Sequence, residues 1–356
     1  MDFEKIQKQI PGGEAFFISD PANVRYLSGF SGSNGQMFIT RKNAWLITDF
    51  RYLRVAKTVL PKKMRLVIQR LSIGEEVRKL AKKQKIKIVL FESNHLSFLR
   101  YEALKKSLKP VQLKPGRGMV EPHRMIKTAQ ELRLIIKAQR LAEETFLNVV
   151  KNLKPGKTEE QIAWEIERIG YELGADSVSF PSIVGFGKNS GSPHHQNTNK
   201  KLKKGDIVLI DMGMKYKGYC SDMTRMVFTS QPTPLQAKIY NTVLEAQEAA
   251  IKKLHAGMKG DTADGIARNI IKKAGYGKTF GHSLGHGIGL EVHEAPNLSS
   301  GYSHAIPENT VVTVEPGIYL ENSFGVRIED MVLVKGNNVI NLTKIAKDLK
   351  SCIYAL

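Results

Sequence analysis

Residues 207–225 read Ile207-Val208-Leu209-Ile210-Asp211-Met212-Gly213-Met214-Lys215-Tyr216-Lys217-Gly218-Tyr219-Cys220-Ser221-Asp222-Met223-Thr224-Arg225. An aliphatic run, the mark of a buried strand, ends at Asp211, and a second strand-like run, Tyr219–Phe228, contains Asp222. The two are expected to pair as a hairpin in which Asp211 faces Asp222. That register centres the turn between Tyr216 and Lys217, with Lys215 and Gly218 closing it. Directly opposed residues hold their Cβ atoms about 4.5–5.5 Å apart on one face of the sheet. Lys215–Gly218 is not the favoured Asn-Gly turn, so a bulge or longer loop is the alternative.

Further along, a second acidic pair repeats the pattern. The run Thr310–Glu315 stops at Pro316-Gly317, and the chain returns through Gly325-Val326-Arg327-Ile328-Glu329-Asp330. A facing register for Glu315 and Glu329 centres the reversal on Asn322. Arg327 lies two residues from Glu329 and so shares its face. Pro316 has no N–H to give a ladder, so pairing must loosen beside Glu315. Alone, acids at strand ends usually face solvent or cap a turn. Between the two pairs, however, Gly281-His282-Ser283-Leu284-Gly285-His286-Gly287-Ile288-Gly289 sets two histidines among four glycines, residues that admit close backbone approach.

Electrostatics joins these pieces. Four carboxylates at one site raise one another's pKa and need compensation. Two divalent cations would supply it and accept one neutral imidazole as a further ligand. Such an oxygen-dominated set suits Mn²⁺, Co²⁺, Fe²⁺ or Zn²⁺ better than it suits a thiolate-rich structural zinc. Two metals about 3.5–4 Å apart activate water and stabilise an oxyanion, chemistry for hydrolysing an acyl or phosphoryl bond.

The rest of the chain frames that centre. Its 356 residues make two domains the working expectation. Hydrophobic residues at 42% and charged residues at 25% are globular proportions and exclude a disordered chain. The longest apolar runs, Ile207–Ile210 and Val311–Val314, fall far short of the ~20 residues that cross a bilayer. Met1-Asp2-Phe3-Glu4-Lys5 lacks an apolar signal region, so a cytoplasmic protein is expected. Cys220 and Cys352 are too few for a disulfide framework or a thiolate metal site. Lys and Arg total 54 against 34 Asp and Glu, a formal charge of +20. The lysines are dispersed in pairs such as Lys62-Lys63 and Lys272-Lys273, densest at Lys200-Lys201-Leu202-Lys203-Lys204. Adjacent residues point different ways, so the pairs read as solvated surface, and nucleic acid is not the expected partner.

Before Lys109, strand-like runs (Ala15–Ile18, Gln36–Ile39, Ala44–Ile47, Met64–Ile68, Ile86–Phe91) alternate with helical stretches (Phe50–Leu60, Gly74–Gln84, Ser97–Leu108). Lys109–Pro122, with Pro110, Pro115 and Pro122, reads as the interdomain connection. Ala129–Leu153 is a long amphipathic helix. Thr158-Glu159-Glu160-Gln161 resembles a capping box opening a helix through Leu173, and Pro234–Leu254 and Thr262–Ala274 are further helices. The expectation is an α/β domain over 1–122 and, over 123–356, an α+β domain of helices on a curved, largely antiparallel sheet.

Asp211, Asp222, His286, Glu315 and Glu329, each in its local sequence, resemble the five metal ligands of the pita-bread metallopeptidases. Around them stand Asp222-Met223-Thr224-Arg225, Gly285-His286-Gly287-Ile288-Gly289, Val314-Glu315-Pro316-Gly317-Ile318-Tyr319 and Arg327-Ile328-Glu329-Asp330. Phe280-Gly281-His282-Ser283-Leu284 and Leu290-Glu291-Val292-His293-Glu294 are similar to the Xaa-Pro branch, aminopeptidase P and prolidase (the M24B type). The stretches 23–33 and Thr48-Asp49-Phe50-Arg51-Tyr52 extend the likeness over essentially the whole chain. Methionine aminopeptidases lack such an N-terminal domain, and creatinases have lost the metal ligands.

The resemblance implies a pita-bread catalytic domain (creatinase/aminopeptidase-like) behind a smaller α/β domain, and two divalent metal ions, Mn²⁺ first, with Co²⁺, Zn²⁺ or Fe²⁺ as alternatives. Asp222 and Glu329 would bridge the metals, Asp211 would chelate one, and His286 with Glu315 would bind the other. Glu315 would also guide a proton during water attack. His194 would lie near the substrate carbonyl, with His195 as a competitor whose expected role is that of an exposed loop histidine. His293 would contact the scissile region, His282 would help form the proline pocket, Arg327 would orient acidic groups or substrate, and Phe180 would wall the pocket. The implied activity is metal-dependent removal of the N-terminal residue from peptides with proline second, by a homodimer. An Xaa-Pro dipeptidase is the near alternative. A non-catalytic module binding protein or RNA is the distant one.

Overall fold

Runs such as Ala15-Phe16-Phe17-Ile18 are apolar at every position, and only a sheet covered on both faces can bury them. The computed structural model, which describes residues 3–356, builds that sheet from β1 (Glu14–Ile18), β2 (Gly35–Thr40), β3 (Ala44–Thr48), β4 (Met64–Ile68), β5 (Ile88–Glu92) and β6 (Gln112–Gly116). Its order is β4-β3-β2-β1-β5-β6, and β2 alone among these strands runs antiparallel to its neighbours. Phe16, Ile18 and Leu46 face a layer made by α1 (Phe3–Gln9), α2 (Pro21–Ser28) and α3 (Leu53–Val59). Phe17, Trp45 and Ile47 face α4 (Ile73–Lys83) and α5 (Phe98–Leu108). One expectation is corrected here. The stretch read as a connection contains β6, whose Pro115 is tolerated because β6 is the sheet's edge.

A short helix, α6 (Glu121–Met125), spans the point where the chain divides into compact units, one ending at Arg124 and the next starting at Met125. The second unit opens with α7 (Ala129–Lys151) and α8 (Glu159–Glu172), both started by capping boxes, Thr128 with Glu131 and Thr158 with Gln161. Its first strands are β7 (Ser177–Val178), β8 (Ile183–Phe186), β9 (Ile207–Met212), β10 (Met214–Tyr216), β11 (Tyr219–Cys220) and β12 (Met223–Phe228). After α9 (Pro234–Lys253) and α10 (Gly260–Lys273) come β13 (Gly285–Gly287), β14 (Glu294–Leu298), β15 (Val311–Val314), β16 (Gly317–Tyr319), β17 (Gly325–Arg327), β18 (Asp330–Lys335) and β19 (Asn338–Asn341). All strand pairs in this unit are antiparallel among the described residues, including the ladders β12-β9-β8 and β14-β13-β15-β18-β19. Ile207 and Leu209 pack toward α9 and α10, whereas Val208, Ile210 and Met212 pack toward α7 and α8. Burial on both faces explains the unbroken aliphatic run.

The first hairpin departs from its expected register. Met212 pairs with Met223 and Asp211 with Thr224, while Tyr216 pairs with Tyr219. The turn residues are therefore Lys217 and Gly218, at φ 46° and 82°, the paired positive φ of a type I′ reversal that matches strand twist. The expected single run Tyr219–Phe228 is broken at Ser221-Asp222. The slip displaces Asp222 by two residues relative to Asp211, and because side chains alternate with period two both stay on one face. The second pair keeps its register: Val314 opposes Asp330, Gly317 opposes Arg327, and Asn322 sits mid-turn at φ 59°. The ladder lapses around Pro316, as its missing N–H requires. Among the described residues, no helix is long and apolar enough to cross a membrane.

Candidate active site

Every acid of interest sits at the end of a strand or in a gap between strands. Asp211 is the penultimate residue of β9, Asp222 lies between β11 and β12, Glu315 follows β15, and Glu329 precedes β18. His286 is the middle residue of β13, which runs between β14 and β15. The flanking glycines make this possible. A Cβ on Gly285 would lie 2.0 Å from Thr313 O, and one on Gly287 would lie 2.3 Å from Ala295 O. His286 N donates to Thr313 Oγ1 at 3.0 Å. Its Nδ1 sits 3.1 Å from Gly287 O, an acceptor that fixes the ring tautomer and leaves Nε2 facing the acids.

That Nε2 lies 3.3 Å from Glu315 Oε1 and 3.7 Å from Asp222 Oδ2. Asp222, His286 and Glu329 each offer one donor atom, all within 4.8 Å of one another. Asp211 Oδ1, Asp222 Oδ1 and Glu329 Oε1 are buried and find no hydrogen-bond partner among the described residues. An unsatisfied buried acceptor costs about 1–3 kcal/mol, and more when charged, so this convergence is unfavourable without a cation. Oxygen donors plus one imidazole fit a divalent metal ion.

The remaining lone pairs are held by neighbours. Thr224 Oγ1 donates to Glu329 Oε2 at 2.7 Å, and Thr313 Oγ1 to Glu315 Oε1 at 3.2 Å. Arg327 donates from Nη2 to Asp211 Oδ2, from Nε to Thr224 Oγ1 at 3.0 Å, and from Nη1 to Tyr319 OH at 2.9 Å. Its position therefore orients acids. Burial and then the neighbouring carboxylates push Asp222 and Glu329 well above the usual carboxylate range, and burial raises Asp211. Burial is the largest influence and would raise Glu315, but the His286 hydrogen bond together with the electrostatic attraction of His286, His282 and Arg327 holds the group low. For His286, burial favours the neutral ring, and Glu315 overcomes this to raise it.

Tyr319 was not singled out from sequence. Burial pushes its hydroxyl up to about 12, so it stays protonated. It accepts from Arg327 and lies 2.9 Å from His282 Nε2, while His282 Nδ1 lies 2.8 Å from Ser283 O. With Nδ1 donating to that carbonyl, Tyr319 donates to Nε2, and burial correspondingly lowers the His282 pKa. A signal was available: Glu315, Gly317 and Tyr319 alternate onto one face.

All the candidate residues line one cavity of about 620 Å³. His194 and His293 are exposed at its wall, the His293 ring 4.3 Å from that of His286, and Phe180 is half-buried beside Pro181. His195 corrects the expectation of an exposed loop histidine. Its side chain is only 12% exposed and its Nε2 lies 2.8 Å from Glu159 Oε2. Glu159, also missed, is fully buried and accepts in addition from Phe186 N, Asn189 Nδ2 and both Thr198 donors.

The model of metallopeptidase family M24 matches residues 133–336, and that of the creatinase/prolidase N-terminal domain matches residues 10–126. The chain is 34% identical to a Pyrococcus furiosus protein named Xaa-Pro dipeptidase, over 94% of each chain. Among solved structures it is similar to an Xaa-Pro dipeptidase from Bacillus anthracis, with 36% identity, TM-score 0.95 and 99% of each chain covered. An X-Pro aminopeptidase from Thermotoga maritima gives 36% identity and TM-score 0.91, over 99% of this chain and 100% of the other. The pita-bread fold with its preceding N-terminal domain, expected from sequence, is the fold of this chain.

Proposed function

The chain belongs to metallopeptidase family M24 and is a hydrolase, and we propose that the bond it cleaves is the Xaa-Pro bond at the N-terminus of peptides. Family membership disposes of the non-catalytic module. The observation that carries the proposal is a cavity walled by further histidines in which Asp211, Asp222 and Glu329 each leave a buried carboxylate oxygen without a partner among the described residues, and Asp222, Glu329 and His286 bring donor atoms within 4.8 Å of one another. Relatives named Xaa-Pro dipeptidase and X-Pro aminopeptidase support the choice of bond. The same proposal assigns residues 1–122 to an N-terminal domain and 123–356 to a catalytic domain, a division supported by the compact units.

Asp211, Asp222, His286, Glu315 and Glu329 would hold two divalent ions, with Mn²⁺ first and Co²⁺, Zn²⁺ or Fe²⁺ as alternatives. Such ions supply Lewis-acid polarisation of a carbonyl and a water of lowered pKa. The chain's own residues do the rest. Glu315, which already shares a hydrogen bond with His286, is placed to take and return a proton. His194 and His293, at the exposed wall, would contact the scissile carbonyl and the leaving nitrogen. Neutral His282, held by Tyr319 and Ser283, would border the proline ring with Phe180. An Xaa-Pro bond is a tertiary amide without an N–H, so a pocket of this kind loses nothing by offering that nitrogen no acceptor.

Release of the first residue from longer peptides is the reading put forward. Dipeptidase action is the second, favoured by the name of the Bacillus anthracis relative. Purified protein supplied with Mn²⁺ is expected to cleave an Xaa-Pro dipeptide and a longer Xaa-Pro peptide, with higher kcat/KM on the longer. Cleavage of the dipeptide alone would establish the second reading, and cleavage of neither would defeat both. Asp222→Ala is expected to reduce turnover to background while unfolding stays cooperative. A homodimer resident in the cytoplasm belongs to the same proposal, and light scattering with cell fractionation checks it.

A further inference from the structure

The N-terminal unit holds a separate cavity of about 380 Å³ that the peptidase chemistry leaves unused. With β2 alone reversed, β1, β3, β4, β5 and β6 all end on one edge of the sheet. The cavity lies along that edge: Ser19 follows β1, Gln36 is at the start of β2, Gln69 follows β4, and Arg100 is on α5. From β1 the chain passes to α2 on one face, and from β5 to α5 on the other. Divergence of connections at the carboxyl ends of parallel strands opens the crevice where open α/β sheets hold ligands.

The lining divides by chemistry. Phe17 and Leu104, both buried, form an apolar floor. Arg100 is exposed, its guanidinium has no ion-pair partner among the described residues, and no Asp or Glu lines the cavity. A guanidinium without an ion-pair partner favours an anion, and its planar fork of donors matches a carboxylate. An apolar floor favours an organic body over inorganic phosphate, and the volume is at the small end for ligand sites.

We infer that the N-terminal unit binds a small organic anion of amino-acid size, its carboxylate on Arg100 and its apolar part over Phe17 and Leu104. The test is calorimetric titration of the full chain with N-acetyl-L-leucine, whose blocked amine suits it poorly to a site for free peptide N-termini. Inorganic phosphate is the second arm. Binding is expected in wild type, weakened at least tenfold in Arg100→Gln, lost in Ala103→Trp, which fills the cavity from an exposed helical position, and unchanged in Asp222→Ala. Wild-type melting of the variants excludes misfolding. The inference is overturned if neither probe binds at millimolar concentration, if phosphate binds and the acetylated amino acid does not, if Arg100→Gln binds as wild type, or if Asp222→Ala abolishes binding.

Discussion

Thr224 Oγ1 donates to Glu329 Oε2 and accepts from Arg327 Nε, and the same guanidinium donates to Asp211. One cation thus fixes two carboxylates, the second through a hydroxyl that is itself fully buried. Arg225, buried to 1% exposure, anchors the backbone beneath them by donating to Thr224 O, Glu329 O and Asp330 Oδ1. Thr224→Val keeps the shape but removes the donor to Glu329 and the acceptor for Arg327 Nε. Outer-shell partners of metal ligands are worth about 10–100-fold in metal affinity or activity, and a loss of that size is expected. Calorimetric Mn²⁺ titration reads it without turnover, and Thr224→Ser should recover most of it. A valine variant that binds Mn²⁺ as tightly as wild type would remove the positioning role. The acids were legible in sequence because charge is out of place beside aliphatic runs. Thr224 and Tyr319 were not, because a hydroxyl on a buried strand resembles ordinary core packing until its partners are located.

Elements were legible where one local rule decided them. The capping box read at Thr158 starts a helix where the chemistry of its first turn requires, and the structure adds a second at Thr128. Glu315–Glu329 kept its register because Pro316 and Asn322 pin the break and the turn. The Asp211–Asp222 hairpin slipped because Lys217 occupies a left-handed position at φ 46° that its residue type does not announce. Lys217→Asn supplies the favoured Asn-Gly pair and is expected to stabilise by up to about 1 kcal/mol, seen as a higher denaturant midpoint. Glu159 tests a different element, the loop carrying His194 and His195. Burial opposes its charge, but the donors from Thr198, Phe186, His195 and Asn189 prevail and lower its pKa below 4.5. A group depressed on folding gives stability that is present above its unfolded pKa and lost as pH falls through the folded one. Stability should therefore decline below about pH 4.5, and less steeply in Glu159→Gln. Equal slopes in acid denaturation would remove Glu159 from that account.

At the scale of the molecule, the question is whether the acidic centre depends on metal for folding or only for chemistry. Small metal-folded domains collapse on chelation because nothing else holds them. Here β9 is packed from both sides by aliphatic clusters that include no acid, with Ile207 and Leu209 in one and Val208, Ile210 and Met212 in the other. Those clusters survive loss of the ions, so the metal-free chain should remain folded. It should still be weaker, because a ligand at one hundred times its dissociation constant adds about 2.7 kcal/mol to the native state. The buried carboxylates are then offset only in part, by Arg327, which is committed to Asp211, and by His286 beside Glu315 and Asp222. Chelation is therefore expected to abolish peptide cleavage, lower the denaturant midpoint and leave one cooperative transition for this unit, with Mn²⁺ restoring both properties. Dispersed surface lysines give no such concentration-dependent gain, since their repulsion responds to salt of any kind. If sodium chloride at matched ionic strength stabilised the chelated protein as much as Mn²⁺ does, the cation would be acting on the +20 surface and not between the carboxylates.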